Sequence, residues 1–368
     1  MIYAKLLEIL NRRETAVLIT VIQVRRTPPM LLDQAVKDDI HRIGVGKNRL
    51  WSPEWIEGSL GDLGLEDVAD SLAEEVYRSG KLTLRKGLRN DQGEEITLVG
   101  EPFFPPDELV VLGGGHISQA LVPITAMLGY QITVVDDRPS FAHREKFPDA
   151  ELVICDDFVH AIGKLPLHRR CSVVIVTRGH RHDLLCLEQV SEKNLAYLGM
   201  IGSRRRVHLI RNLLQEKDID PGLMERLHMP IGLDIGAETP EEIAVSIAAE
   251  LIKYRQGGIT MQDIDLLRAL VESAQKGLPA ALATVIATQG STPRKAGAKL
   301  LIFQDGRMMG TIGGGCIEGE VRREALQRIE SGEPGLYRFS LNSDDAAEEG
   351  MACGGTMEVF IAPVGKGD

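Results

Sequence analysis

Leu109-Val110-Val111-Leu112-Gly113-Gly114-Gly115-His116 decides the fold. Four apolar strand formers run straight into three glycines. An apolar-periodic helix is predicted from about Ile117 to Met127, and a second strand from Gln131 to Val135, ending on Asp136-Asp137-Arg138. A glycine-rich turn has meaning only in this strand–turn–helix–strand context. Gly113 permits the tight turn. Gly115 lets the backbone approach a pyrophosphate, whose charge meets the free N–H groups at the helix start, beside His116. Ser118 takes the place of a third glycine, which predicts slightly looser helix–strand packing. Asp136 follows Gly115 at about the ~20-residue spacing of an acid that binds a ribose hydroxyl, and Arg138 is placed to meet a 2′-phosphate instead. The competing reading is a Rossmann fold whose site is empty or blocked.

Working outward, strands are predicted at Leu152 to Cys155 and Val173 to Thr177. The second leads into Arg178-Gly179-His180-Arg181-His182-Asp183. Polar, titratable residues just after a strand fall at the carboxyl edge of a doubly wound sheet, where ligands bind. His180, His182 and Asp183 suit metal binding or proton transfer, and equally a solvated turn. Tyr197 to Arg206 is another strand–glycine–helix join. Its three arginines oppose the helix dipole, which points to an anionic ligand or to a solvated basic face. Thr239-Pro240-Glu241-Glu242 is a capping box that opens a helix to Arg255.

The flanks, before Pro102-Phe103-Phe104-Pro105-Pro106 and after Gln256-Gly257-Gly258, resemble each other. Leu6 to Leu10 echoes Leu266 to Leu270. Ala16 to Val24 and Ala281 to Thr288 both contain Thr-Val-Ile, and Thr27-Pro28 answers Thr292-Pro293. Gly58 to Gly80 aligns without gaps on Gly310 to Gly332, sharing Gly61/Gly313, Glu66/Glu318, Ala73/Ala325 and Ser79-Gly80/Ser331-Gly332. This order and spacing predict an internal duplication. The second copy alone carries Gly290-Ser291-Thr292-Pro293-Arg294, then Gly313-Gly314-Gly315-Cys316, then Met351-Ala352-Cys353-Gly354-Gly355. The first has Gly61-Asp62-Leu63-Gly64 and nothing like the last. A thiol at a glycine-rich helix start has a lowered pKa and more thiolate. Cys316 and Cys353 therefore suggest ligand or sulfur chemistry, against the plainer reading of two small packed residues.

With 368 residues, 43% hydrophobic and 26% charged, the chain can bury two or three ordinary cores. A net charge of −11 argues against general nucleic-acid binding, and 4% aromatic content argues against base-stacking platforms. Five scattered cysteines do not form a disulfide framework. No apolar run reaches the ~20 residues of a membrane span, and the start lacks the features of a signal peptide. Cytoplasmic location, with neither nucleic-acid nor membrane partner, is the expectation.

The flanking motifs, including Gly297-Ala298-Lys299, Gly310 to Glu318 and Asp344 to Ala347, resemble the XdhC/CoxI domain of xanthine dehydrogenase accessory proteins. The middle is similar to the Rossmann domain that accompanies it, through Gly113 to His116, Val134 to Arg138, Gly179 to Asp183, Gly199 to Arg204 and Pro230 to Gly236. Together these cover about 260 residues. The order departs from the family pattern, which places the cysteine-bearing domain first. At Arg178 a histidine is common in the family, which weakens a metal role for that turn. The expected fold is α/β: a Rossmann-type doubly wound parallel sheet, residues 107–257, flanked by two related smaller α/β (α+β) domains. These span 1–101 and 259–368, the first degenerate.

What the resemblance implies is a maturation factor, a chaperone more than a turnover enzyme. It would bind molybdenum cofactor (molybdopterin), help it acquire sulfur from a cysteine desulfurase, and deliver it to a molybdenum hydroxylase apoenzyme. Arg294 and the glycine loops at Gly314 and Gly315 would hold the cofactor's phosphate, and Cys316 or Cys353 would meet molybdenum or sulfur. A homodimer is expected; the two copies pack on each other or pair across that dimer. The alternative is an NAD(P)-dependent oxidoreductase acting on a small substrate, supported by Gly113, Gly115 and Asp136.

Overall fold

The computed structural model describes residues 2–25, 43–202, 207, 210, 222–255, 261–340 and 355–364; of His180, Met261 and Cys316 only the backbone is described. Thr27-Pro28, Arg204 to Arg206, Asp344 to Ala347 and Cys353 lie outside the described residues. The chain divides into two compact units, Met1–Pro105 with Ile259–Asp368, and Pro106–Gly258. Among the described residues no helix is long and apolar enough to cross a membrane.

The first copy begins with α1 (Ile2–Asn11) and β1 (Ala16–Arg25), then β2 (Asn48–Trp51), β3 (Ile56–Glu57), α2 (Leu63–Ser79), β4 (Thr83–Arg89) and β5 (Glu95–Phe103). Its sheet runs β3-β2-β1-β5-β4 and is antiparallel throughout. Alternation along β1 puts Val17, Ile19 and Val21 against α2, where they meet Leu72, Ala73 and Val76.

The middle unit follows with β6 (Glu108–Leu112), α3 (His116–Met127), β7 (Gln131–Asp136), β8 (Leu152–Cys155), α4 (Phe158–Lys164), β9 (Cys171–Ile175), α5 (His180–Val190), β10 (Tyr197–Met200), β11 (Leu227–His228) and α6 (Pro240–Tyr254). All its pairings are parallel, in the order β11-β10-β9-β6-β7-β8. β6 and β9 are buried along their whole length, as strands covered by helices on both faces must be. The chain leaves β6 toward β7 on one side and returns to β9 on the other, so the switch point of the doubly wound sheet lies between β6 and β9.

The second copy contains α7 (Met261–Gln275), β12 (Ala280–Gln289), β13 (Lys299–Phe303), β14 (Met308–Gly310), α8 (Gly315–Ser331), β15 (Gly335–Ser340) and β16 (Thr356–Val364). Its sheet order, β14-β13-β12-β16-β15, repeats that of the first copy strand for strand. Register repeats as well. β1 breaks its pairing with β5 between Val21 and Gln23, and β12 breaks its pairing with β16 between Val285 and Ala287. Gly46 and Gly297 donate to Val21 O and Val285 O at 2.8 Å each. The duplication read from scattered identities is thus a repeat of fold, register and bulge.

The two copies pack on each other within the one unit. α1 meets α7 through Leu6, Leu7 and Leu10 against Ile264, Leu267 and Val271. The sheet faces turned away from α2 and α8 meet through Ile22 and Val99 against their counterparts Ile286 and Phe360. Among the described residues one buried ion pair crosses this seam, Lys299 Nζ with Glu101 Oε1; their side chains are 5% and 13% exposed. Lys299 also donates to Gly297 O at 3.1 Å. Glu101→Ala leaves the ammonium buried without its carboxylate and is expected to cost about 3–5 kcal/mol, whereas the apolar pair Lys299→Met/Glu101→Leu lies near wild type. Urea unfolding of the single and double variants checks the difference.

Candidate functional site

Three helices have side-chain caps: α2 by Asp62, α4 by Asp157, and α6 by the predicted Thr239 capping box. Three others, α3, α5 and α8, open on Gly115, Gly179 and Gly314 with no side-chain cap. An uncapped N-terminus leaves N–H donors and the positive dipole end available to an anion. Each of these three helix starts belongs to one of the glycine-containing motifs read from the sequence.

In the second copy the motifs converge. Gly313 has φ 99°, and a Cβ there would lie 2.8 Å from Arg294 Cγ and 2.9 Å from Pro293 Cγ. At Gly355 a Cβ would lie 2.4 Å from Ser291 O and 2.8 Å from Thr292 Cγ2. So Ser291 to Arg294, the turn Gly313 to Gly315, and Gly355 close on one another only because two glycines lack side chains. Gly314, Gly315 and Arg294 are exposed, and Arg294 has no ion-pair partner among the described residues. Cys316 is in the first turn of α8.

Glu318 shapes this turn, a role the sequence reading missed. Its Oε1 accepts from Thr311 Oγ1 at 2.7 Å, Ile312 N at 3.1 Å and Gly313 N at 3.3 Å. In the first copy Glu66 does the same for Ser59 and Leu60. The shared glutamate therefore serves the fold. The copies part company at the residue after the shared glycine: Asp62 accepts from Leu65 N at 3.0 Å and fills the helix end that Gly314 leaves open.

In the middle unit the turn Gly113 to Gly115 is wedged at the switch point. Gly113 has φ 115°, and a Cβ there would lie 2.5 Å from Val176 O. One at Gly114 would lie 2.4 Å from Phe141 O. Ser118 corrects an expectation. It is fully buried and its hydroxyl donates to Gly113 O, so the helix is pinned to the turn rather than loosely packed.

Asp136 is 1% exposed. Its carboxylate accepts from Gly114 N at 2.8 Å, Arg138 N at 3.0 Å, and Arg138 Nε and NH2 at 2.8 and 2.9 Å. Burial pushes its pKa up, but the hydrogen bonds from Arg138 and Gly114 outweigh burial and hold it below the usual carboxylate value. Asp136 thus fastens the glycine turn to the end of β7. Arg138 stacks on Phe141, 3.7 Å from the ring centroid, and its partner carboxylate raises its pKa.

The His180–Asp183 turn divides inward and outward. Asp183 is fully buried and accepts from Thr177 Oγ1 at 2.5 Å. His182 Nε2 lies 3.2 Å from Arg178, which donates to Asp137 at 2.8 Å. His182 and Asp183 form no metal-binding cluster among the described residues. In the Pro230 to Gly236 motif, the buried Glu250 accepts from Tyr197 OH at 2.6 Å and Gly232 N at 2.7 Å. Burial, with Glu250 beside it, drives the Tyr197 pKa far up. No sequence pattern singled out Glu250, because it occupies an ordinary interior position of α6.

A doubly wound Rossmann-type domain, lying in sequence between the two copies of a helix-and-sheet module of which one is left open, defines the class of this protein. The chain belongs to the XdhC and CoxI family: an XdhC Rossmann domain matches residues 109–251, and the XdhC and CoxI family model matches 273–340, within the open copy. It is 35% identical over 158 residues to Uncharacterized protein YqeB of Escherichia coli (strain K12), covering 42% of this chain and 29% of that protein. It is 31% identical over 152 residues to a probable xanthine dehydrogenase subunit of Bacillus subtilis (strain 168), covering 41% and 44%. It is 33% identical over 91 residues to Molybdenum cofactor insertion chaperone PaoD of Escherichia coli (strain K12), covering 25% and 29%. The chain therefore spans less than half the length of each of these relatives.

Proposed function

We propose that this chain holds molybdenum cofactor at the open turn of its second copy, assists its sulfuration, and passes it to a molybdenum hydroxylase apoenzyme. The observation that carries this reading is the convergence of Ser291 to Arg294, Gly313 to Gly315 and Gly355 on an uncapped helix start. When bound, the cofactor supplies a phosphate and a molybdenum–dithiolene centre. The N–H groups at the start of α8 and the exposed guanidinium of Arg294 suit the phosphate. Cys316 falls in the first turn of α8, and Cys353 completes the motif in sequence. Two relatives, named for a molybdenum cofactor chaperone and for a xanthine dehydrogenase component, support this class of cargo. A cysteine desulfurase is the sulfur donor the reading requires.

Retention tests it. Purified protein mixed with molybdenum cofactor and desalted should keep molybdenum and pterin together, and Arg294→Ala should lower retention about tenfold. Failure of the wild type to retain either would remove the proposal.

A second reading concerns the middle unit: the crevice between β6 and β9 takes a nucleotide phosphate. It is favoured by two uncapped helices, α3 and α5, opening on glycines at the switch point. Asp136 is engaged by the protein, so the phosphate and not a ribose hydroxyl is the group this crevice suits. Fluorescence titration with NADH, NADPH and ATP measures it. Thr177 is engaged by Asp183, and Arg178 by Asp137 and His182, which favours binding over turnover at this edge.

A further inference from the structure

The two copies obey an internal pseudo-twofold, and at one place it is broken. Thr20 pairs with Asn48 as Thr284 pairs with Lys299. Leu18 pairs with Glu101 as Leu282 pairs with Ala362. The counterpart of the seam ion pair Lys299–Glu101 is therefore Asn48 facing Ala362. Both replacements are shorter and neither is charged. On that side of the seam lies a cavity of about 390 Å³ whose lining includes Tyr3, Lys47, Asn48, Glu333, Ala362 and Val364. The side chains that fill one half of the seam are missing from the other, and the space is left over.

The mouth of this cavity has a definite chemistry. Gly46 of one copy approaches Pro334 of the other so closely that a Cβ on Gly46 would lie 3.1 Å from Pro334 Cγ. Their chain neighbours Lys47 and Glu333, both exposed, line the cavity as well. Neither has an ion-pair partner among the described residues. Val45, Ala362 and Val364 give the lining apolar surface, and Asn48 adds a polar side chain. The Oδ1 of Asn48 accepts from Thr20 Oγ1 at 2.7 Å, which leaves its amide nitrogen as the remaining donor. The volume sits at the low end of the ~300–1,000 Å³ range of small-molecule pockets, so the occupant is a compact metabolite.

We propose that this cavity binds a small zwitterion of the α-amino acid class. Its carboxylate meets Lys47, its ammonium meets Glu333, and an apolar side chain lies on Val45 and Val364. The site is distinct from the glycine–cysteine turn and does not depend on the cofactor reading. Symmetry supplies the decisive variant. Asn48→Lys with Ala362→Glu rebuilds on this side the ion pair that fills the other, closing the cavity with a pair the fold already accommodates.

The test is calorimetric titration and thermal melting of the full chain with the proteinogenic amino acids, beside simple alkylamines and carboxylic acids of matching size. At least one amino acid should bind once per chain, with the amine and acid controls at least about tenfold weaker. N48K/A362E should abolish binding without lowering the melting temperature. Should that variant fold poorly, the exposed substitutions Lys47→Ala and Glu333→Ala each weaken binding about tenfold with unchanged melting. Absence of binding by every amino acid at millimolar concentration overturns the proposal. So does binding that survives closure of the cavity or loss of both mouth charges.

Discussion

Gly314→Asp is expected to shut the open copy. Aspartate is the residue the first copy carries at the matching position, where Asp62 accepts from Leu65 N and occupies the start of α2. A carboxylate at 314 would satisfy the donors at the start of α8 and repel a phosphate arriving there. Gly314 has φ 149° and Asp62 has −149°, so φ at 314 has to change by only about 60°, across the ±180° point, to take the extended form of the first copy. Retention of molybdenum cofactor should fall about tenfold to a hundredfold, while stability stays the same or rises by up to ~1 kcal/mol from the new cap. The reverse control, Asp62→Ala, should cost about 1 kcal/mol of stability and leave retention unchanged. Retention of the cofactor by Gly314→Asp at the wild-type level would show that the helix start does not bind it.

The second large effect falls on the middle unit. Asp136→Asn is expected to destabilise it by about 3–5 kcal/mol, because one oxygen that accepts from Gly114 N or Arg138 becomes an NH2 facing another donor. The pH dependence follows from the lowered pKa of Asp136. A carboxyl group whose folded pKa lies below its unfolded value of ~3.9 contributes stability that is fully present above that value. The contribution is lost as pH falls through the lowered folded value. Acid unfolding of the wild type should therefore steepen below about pH 4, and this component should be missing from Asp136→Asn. Chemical denaturation at several pH values, read by circular dichroism and by the fluorescence of the middle unit's tyrosines, since both tryptophans lie in the other unit, gives both numbers. Equal acid sensitivity in the two proteins would contradict the assignment.

Much of the architecture was legible because periodicity and glycine placement are local. Four apolar residues before Gly113 gave the first strand, and Thr239 with Glu242 gave a cap that the structure contains. The duplication was legible because Gly58, Gly61, Gly80 and their counterparts sit at positive φ, where few other residues are tolerated. Side-chain partnerships were harder to see. Asp136 has the spacing of a ribose-binding acid, yet that spacing also puts it beside Gly114 N and two residues from Arg138. Ser118 suggested loose packing because composition does not reveal that its hydroxyl donates to Gly113 O. The Lys299–Glu101 pair joins residues far apart in sequence, on strands of different copies, so no local pattern could have found it. Cys353 and the basic segment at Arg204 fall outside the described residues, and their expected roles stay with the sequence.

The most direct measurement of the central claim is the amount of molybdenum cofactor retained per chain after desalting, with metal and pterin quantified on the same sample. One cofactor per chain is predicted for the wild type, since one copy is open and the other is capped by Asp62, with loss on Cys316→Ala/Cys353→Ala. No retained cofactor, or retention unchanged in that double variant, would contradict it.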